Sequence, residues 1–161
     1  MKTNLSTDTN TQKVILFNLD RYWLALPVAA VLKVVNFPSH FRAALHQMGV
    51  VHLGDTQDNL DTPAKAIALF NLEQYLGDRP NSTKGNFLMV ARLSDRQLAG
   101  IPIDEPPSLL PIPSTAIRPL ATTSRQTPLL NLVSHVAVLP AEQGSIEVFL
   151  LDLDKMAASL S

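Results

Sequence analysis

Short apolar runs broken by turn-forming residues are the main pattern in the first part of the chain. Residues 14–35, VILFNLDRYWLALPVAAVLKVV, are rich in valine, isoleucine, leucine and aromatic residues, with breaks at Asp20-Arg21 and at Pro27. Runs of this length and composition, bounded by turn formers, are typical of β-strands. The pattern predicts a tight turn at the first break and strands over 13–19, 22–27 and 31–37.

The rest of the chain continues in the same way. Polar stretches rich in glycine, proline, asparagine or serine separate the apolar runs, and such stretches favour loops. They predict an exposed, mobile loop over 54–65, an internal boundary over 78–86 and an ordered surface excursion over 111–128. Residues 1–12 have little to bury and are expected to form a disordered tail. Further strands are predicted over 48–53, 66–70, 87–93, 129–139 and 145–151.

The second half of the chain repeats features of the first. Residues 95–102 (DRQLAGIP) match residues 20–27 (DRYWLALP) at Asp, Arg and Pro with equal spacing, and residues 150–154 (LLDLD) resemble residues 69–73 (LFNLE). Two matches in the same order favour two related β units. Each unit is predicted to form a small antiparallel barrel, because closure removes exposed strand edges. The units are expected over 13–77 and 86–151, within a single domain over 13–161.

Capping residues predict a short helix at the end of each half. Asn71 is a favourable N-cap, Gln74 follows three residues later as in a capping box, and Gly77 is a natural C-cap. Asp152 is expected to cap a C-terminal helix over 152–160 in the same way.

Composition narrows the classes of partner. The chain has 161 residues, 46% of them hydrophobic, and a formal charge of −1. A charge near zero argues against nucleic acid, whose phosphates require a basic surface. There is no cysteine, which excludes disulfides and thiolate chemistry. The amino terminus is polar, and no apolar run approaches the roughly 20 residues that span a bilayer. The chain is therefore expected to be cytoplasmic, without direct membrane insertion.

Four histidines raise the question of a metal or catalytic site. His40, His46 and His52 recur every six residues, a spacing that scatters them around a helix and puts neighbours about 20 Å apart on a strand. His135 stands alone. The sequence contains no HExxH, GxSxG, GxGxxG or P-loop motif, the patterns that would indicate such chemistry. We therefore predict no catalytic residue, no metal and no cofactor, and hence no enzyme.

Several segments, taken in order, resemble the CheW-like family of chemotaxis adaptor domains. The likeness extends from Val14 to Ala158. It is carried by residues 17–27, 31–35, 49–53, 67–72, 100–105 and 149–155. The resemblance implies a mainly β fold of two SH3-like five-stranded antiparallel barrels packed together, with a hydrophobic groove between them. Short helices, including a C-terminal one, complete the expected fold.

The chain departs from the family pattern at positions where the family contacts its partners. The family's Asn-Leu-Arg-Gly is His52-Leu53-Gly54-Asp55 here, so the arginine is missing. Lys33 stands where an acidic residue is usual, and Asn71 replaces the usual aspartate. About ten extra residues precede the strand at 66–70, and a loop of that length is more often functional or disordered than neutral.

The resemblance implies a non-catalytic adaptor that links a CheA-like histidine kinase to methyl-accepting chemoreceptors in a chemotaxis, phototaxis or type IV pilus motility pathway. It would act in the cytoplasm at membrane-associated receptor arrays. The candidate partner-binding residues are Val34, Val35, Phe37, Val50, Val51, His52, Leu53 and Gly54. Strand alternation places about half of them in the core. One alternative is an interaction module that has left the kinase–receptor array and binds another partner through the 54–65 loop. A second alternative is a small ligand-binding or enzymatic β-barrel.

Overall fold

The computed structural model describes residues 10–37, 50–53, 65–76, 85–121 and 127–160. Most of these residues lie in strands, which are β1 (Thr11–Leu19), β2 (Tyr22–Pro27), β3 (Val31–Asn36), β4 (Val50–Leu53), β5 (Lys65–Leu69), β6 (Phe87–Arg92), β7 (Leu98–Ile103), β8 (Ser108–Pro113), β9 (Ile117–Pro119), β10 (Val133–Ala141) and β11 (Gly144–Leu151). Short 3₁₀ turns cover Val28–Ala30, Leu72–Tyr75, Ser114–Ala116 and Pro128–Leu132. The C-terminal helix covers Leu153–Ser159.

The predicted strands are present where the structure describes their residues, whereas residues 48–49 of the strand predicted over 48–53 lie outside the described residues. The main differences are as follows. β1 begins at Thr11, so the end of the predicted tail belongs to a strand. The predicted excursion over 111–128 supplies the end of β8 and all of β9, because edge strands tolerate proline. Residues 128–132 form a 3₁₀ turn ahead of β10. Residues 54–64 of the predicted loop, the boundary over 78–84 and Gly77 lie outside the described residues.

The strands form two sheets. One has the order β8-β1-β2-β11-β10-β9 and the other has the order β3-β6-β7-β5-β4. Neighbouring strands run antiparallel except at one pairing in each sheet, β2 with β11 and β5 with β7. The fold is thus mainly β, as predicted, and each sheet includes one parallel pair that the sequence pattern did not indicate.

The two sheets do not correspond to the two halves of the chain. The sequence predicted separate units over 13–77 and 86–151, but each sheet combines strands from both. The β1–β2 hairpin pairs with β8 and β11 of the second half, and the β6–β7 hairpin pairs with β3 and β5 of the first half. In strand order, β8-β1-β2-β11-β10 of one sheet corresponds to β3-β6-β7-β5-β4 of the other. Each sheet therefore combines strands from both halves of the chain, and the strands pair in the same scheme in the two sheets.

The sequence repeat occupies equivalent places in the two sheets. Leu26 of β2 and its counterpart Ile101 of β7 both belong to the core shared by the sheets. Ala25 lies in the core of its own sheet, and its counterpart Gly100 faces the core of the other sheet. A Cβ atom at Gly100 would lie 3.0 Å from both the Ile67 and the Leu88 side chains. A small residue at this point of the repeat lets the strand pack closely against its neighbours.

Three apolar clusters hold the molecule together. The six-stranded sheet curls around one cluster that includes Val14, Ile112 and Val148, and the five-stranded sheet curls around another that includes Ile67 and Leu88. The largest cluster joins the two sheets and contains residues from β1, β2, β6 and β7, from the 3₁₀ turns and from the C-terminal helix. β6 and β7 are buried along almost their whole length, on both faces, which explains why their sequences are nearly continuous apolar runs.

The two predicted N-caps are confirmed, the first of them on a 3₁₀ turn. The Asn71 side-chain oxygen accepts a hydrogen bond from the Glu73 N–H (3.2 Å) at the start of the Leu72–Tyr75 turn. The Asp152 carboxylate accepts hydrogen bonds from the N–H groups of Asp154 (2.8 Å) and Lys155 (3.2 Å). Both caps satisfy backbone donors that have no partner within the helix.

Replacing Asp152 with alanine should lower the free energy of unfolding by about 1 kcal/mol, because two backbone N–H groups lose their acceptor. Urea denaturation of the wild-type and variant proteins measures this difference. The matched control is Asp152→Asn, which keeps a side-chain oxygen and should cost less than the alanine variant. Equal losses for the two variants would contradict the assigned cap.

Candidate partner-binding surface

β3 stands at one end of the five-stranded sheet and pairs with β6 alone among the described strands. Its register with β6 shifts between Val31 and Lys33, which marks a β-bulge or irregularity. Leu32 and Val34 are 40% and 37% exposed, and Val28 in the preceding 3₁₀ turn is 39% exposed. Lys33 is also exposed. We call these four residues the β3 surface.

The structure separates the candidate residues around β3 into two groups. Val34 belongs to the β3 surface. Phe37 is buried in the core of the five-stranded sheet, and Val35 packs partly buried against the same core. The Phe37 N–H also donates a hydrogen bond to the Asn86 carbonyl oxygen (3.0 Å). The alternation expected for a strand thus assigns Val34 to the surface and Val35 and Phe37 to packing.

The remaining candidates lie on a different strand. Val50, Val51, His52 and Leu53 form β4, which pairs with β5 at the opposite end of the same sheet from β3. Three strands stand between β3 and β4 in the strand order. Gly54 lies outside the described residues. The two groups of candidate residues therefore do not lie on hydrogen-bonded neighbouring strands.

The exposure of Val28 and Leu32 was not predicted from the sequence. Regular alternation from Val31 gives no reason to expect Leu32, Lys33 and Val34 to be exposed in succession. The register shift next to Val31 accounts for the exposure, since a bulge interrupts the alternation of side chains between the two faces.

The two sheets pack on each other through the large shared cluster. At one end a hollow of about 100 Å³ remains, lined by Asn18, Leu19, Asp20, Ile103, Asp104 and Glu105. The carboxylate of Asp104 accepts a hydrogen bond from the Gly85 N–H (2.9 Å). This hollow is small, and two carboxylates besides Asp104 line it, those of Asp20 and Glu105.

A second surface with exposed aromatic character lies on the six-stranded sheet. Trp23 is 38% exposed and borders a shallow hollow of about 410 Å³. The Arg21 guanidinium carbon lies 5.5 Å from the centre of the Tyr22 ring, and Tyr22 packs edge-to-face against Phe149 at 5.9 Å. Ile146 and Glu147 complete the lining. Tryptophan, tyrosine and arginine are the residue types enriched at the centres of protein interfaces. We call this the Trp23 hollow.

His135, which stands apart from the other histidines in the sequence, has its Nδ1 2.9 Å from the Ser134 Oγ. The two residues border a hollow of about 220 Å³ whose other lining residues are Gln12, Pro27, Ile117, Leu150 and Leu151. None of the described residues that line this hollow is a carboxylate that could orient the imidazole, as a hydrolytic triad requires. Within the described ranges, no group of three histidine, aspartate or glutamate side chains could hold a metal ion.

No helix in the described part of the chain is both long enough and apolar enough to cross a membrane.

Two curled sheets that share one apolar core define the class of fold, and a solved structure of the same class is known. The scaffolding protein TtCheW from Thermoanaerobacter tengcongensis is similar with a TM-score of 0.55 and 17% sequence identity, over 88% of this chain and 90% of that chain. No family model matches the sequence, and no curated protein matches it. The similarity shows the fold, and it confirms the predicted pair of packed SH3-like barrels.

Proposed function

We propose that this chain is a non-catalytic adaptor that links a CheA-like histidine kinase to chemoreceptors in a chemotaxis, phototaxis or type IV pilus motility pathway. The main support is a fold similarity that covers nearly the whole length of both this chain and a protein described as a scaffold. The ordered CheW-like segments in the sequence support the same function.

An adaptor must hold two partners at once, and the structure offers a surface on each barrel. The β3 surface belongs to the five-stranded sheet and the Trp23 hollow belongs to the six-stranded sheet. We assign one partner to each. This division is narrower than the candidate set, because Val35 and Phe37 are engaged in packing and β4 is a separate strand that pairs with β5.

The shared core suits this role. It joins strands of both sheets to the C-terminal helix, and close-packed interiors deform little. A partner bound at one barrel would therefore keep a fixed orientation relative to a partner bound at the other. Fixed orientation is what a scaffold contributes to a signalling assembly, since it raises the effective concentration of one partner near the other.

Direct binding measurements test the proposed function. The purified chain should bind at least one CheA-like kinase regulatory domain and at least one chemoreceptor cytoplasmic tip from the same organism, with dissociation constants in the micromolar range typical of transient signalling contacts. Biolayer interferometry with the immobilised chain provides the measurement. Failure to bind any kinase or receptor would contradict the proposal and would favour the alternative of an interaction module with a different partner.

A further inference from the structure

We infer that β3 binds an extended segment of a partner protein as an additional strand of the five-stranded sheet, and that this segment carries an acidic residue near Lys33. The inference rests on the proposed function in one respect, since it concerns a surface already assigned to a partner. It goes further by stating how that partner binds and which chemistry it has.

The backbone of β3 provides the binding edge. β3 ends its sheet, and among the described strands only β6 pairs with it. A strand at the end of a sheet directs half of its N–H and C=O groups away from its neighbour, and these groups can pair with another strand. The six residues of β3 extend over about 20 Å, a length that suits one short peptide segment. The exposed side chains of Leu32 and Val34 add apolar contacts to these hydrogen bonds.

β3 differs from the corresponding edges of the other sheet in its lack of proline. β8 is the counterpart of β3 in the strand order and contains Pro111 and Pro113, and β9 at the far end of that sheet contains Pro119. Proline has no N–H to donate and blocks strand addition at an edge. β3 contains no proline. β4 also lacks proline but has only four residues, so β3 is the longer end strand without proline.

The added strand could come from a second copy of this chain or from a different protein, and the charge of Lys33 favours a different protein. In a two-fold antiparallel pairing of β3 with itself, registers that overlap most of the strand put the two Lys33 residues opposite or diagonal to each other, within about 8 Å. Like charges at that separation disfavour the pairing, and an edge lysine is a common device against self-association. An acidic residue on a different chain reverses the sign of this interaction.

Two matched peptides test the inference. The first is Thr-Val-Thr-Glu-Thr-Val-Thr with blocked ends, and the second has lysine in place of glutamate. Titration of the ¹⁵N-labelled full chain should show the glutamate peptide binding about fivefold more tightly than the lysine peptide, since opposite charges across a strand pair attract and like charges repel. Cross-strand contacts between Hα atoms should appear between the peptide and β3, and none should appear between the peptide and β8.

A charge reversal on the protein completes the test. The Lys33→Glu variant should reverse the preference and bind the lysine peptide more tightly, while Leu109→Asp on β8 should leave the wild-type preference unchanged. Equal binding of both peptides, contacts at another surface, or a wild-type dimer formed through β3 would each overturn the inference. These results do not depend on kinase or receptor binding. If those proteins bind and neither peptide pairs with β3, the strand-addition mode fails and the adaptor function stands.

Discussion

Replacing Phe70 with alanine should lower the free energy of unfolding by about 3–5 kcal/mol. The Phe70 side chain is fully buried in the cluster shared by the two sheets, and its ring stacks on Tyr75 with a centroid separation of 5.6 Å. Alanine would leave a cavity where the ring had been. A loss of this size is a large part of the 5–15 kcal/mol that is typical of a whole domain.

The position of the single tryptophan makes this experiment informative about the whole fold. Phe70 follows β5 of the five-stranded sheet, whereas Trp23 lies on β2 of the six-stranded sheet. Because the two sheets share one core, urea denaturation followed by Trp23 fluorescence should shift as much as denaturation followed by far-UV circular dichroism. Leu109→Ala, at an exposed position, is the control and should stay within about 0.5 kcal/mol of wild type. An unchanged fluorescence midpoint in the Phe70 variant would show that the sheets unfold independently.

Replacing Val34 with aspartate should weaken binding of the partner at the β3 surface by at least about tenfold, or 1.4 kcal/mol. The side chain is exposed next to Leu32 and Lys33, so the variant should fold normally. Burying a carboxylate against an apolar partner surface carries a desolvation penalty that the valine does not have. Biolayer interferometry against both proposed partners would show which of them uses this surface.

Leu109→Asp is the matched control for the Val34 variant. It introduces the same charge at an exposed apolar position of an edge strand on the other sheet, outside the residues that define the two proposed surfaces. Affinity for both partners should stay close to the wild-type value. The assignment of the β3 surface would be wrong if Val34→Asp bound both partners normally, or if Leu109→Asp weakened binding to the same extent.

The individual strands could be predicted from the sequence because their signals are local. Turn formers at Asp20-Arg21 and a proline at position 27 set the limits of β2, and capping residues set the start of the C-terminal helix. The exchange of strands between the halves could not be predicted in this way. Both halves carry the same apolar pattern, so β2 could bury the same residues against β5 or against β11, and only long-range pairing distinguishes the two arrangements.

The candidate site could be predicted only in part. Val34 of β3 was among the predicted residues, but it was grouped with the residues of β4. Nothing local to either strand reveals that three strands separate β3 from β4 in the order of the sheet. The exposure of Leu32 was not predicted, since the irregularity beside Val31 depends on how β3 meets β6. No local signal in the sequence groups the residues of the Trp23 hollow. Ile146 and Phe149 come from β11, more than a hundred residues after Trp23 along the chain.

Formation of a ternary complex tests the adaptor function most directly. The chain, a kinase regulatory domain and a receptor cytoplasmic tip would be mixed and analysed by size-exclusion chromatography with light scattering. Since the two proposed surfaces lie on different barrels, we predict a single species whose mass equals the sum of all three proteins. Competition between kinase and receptor for the chain, so that only binary complexes form, would contradict the adaptor function.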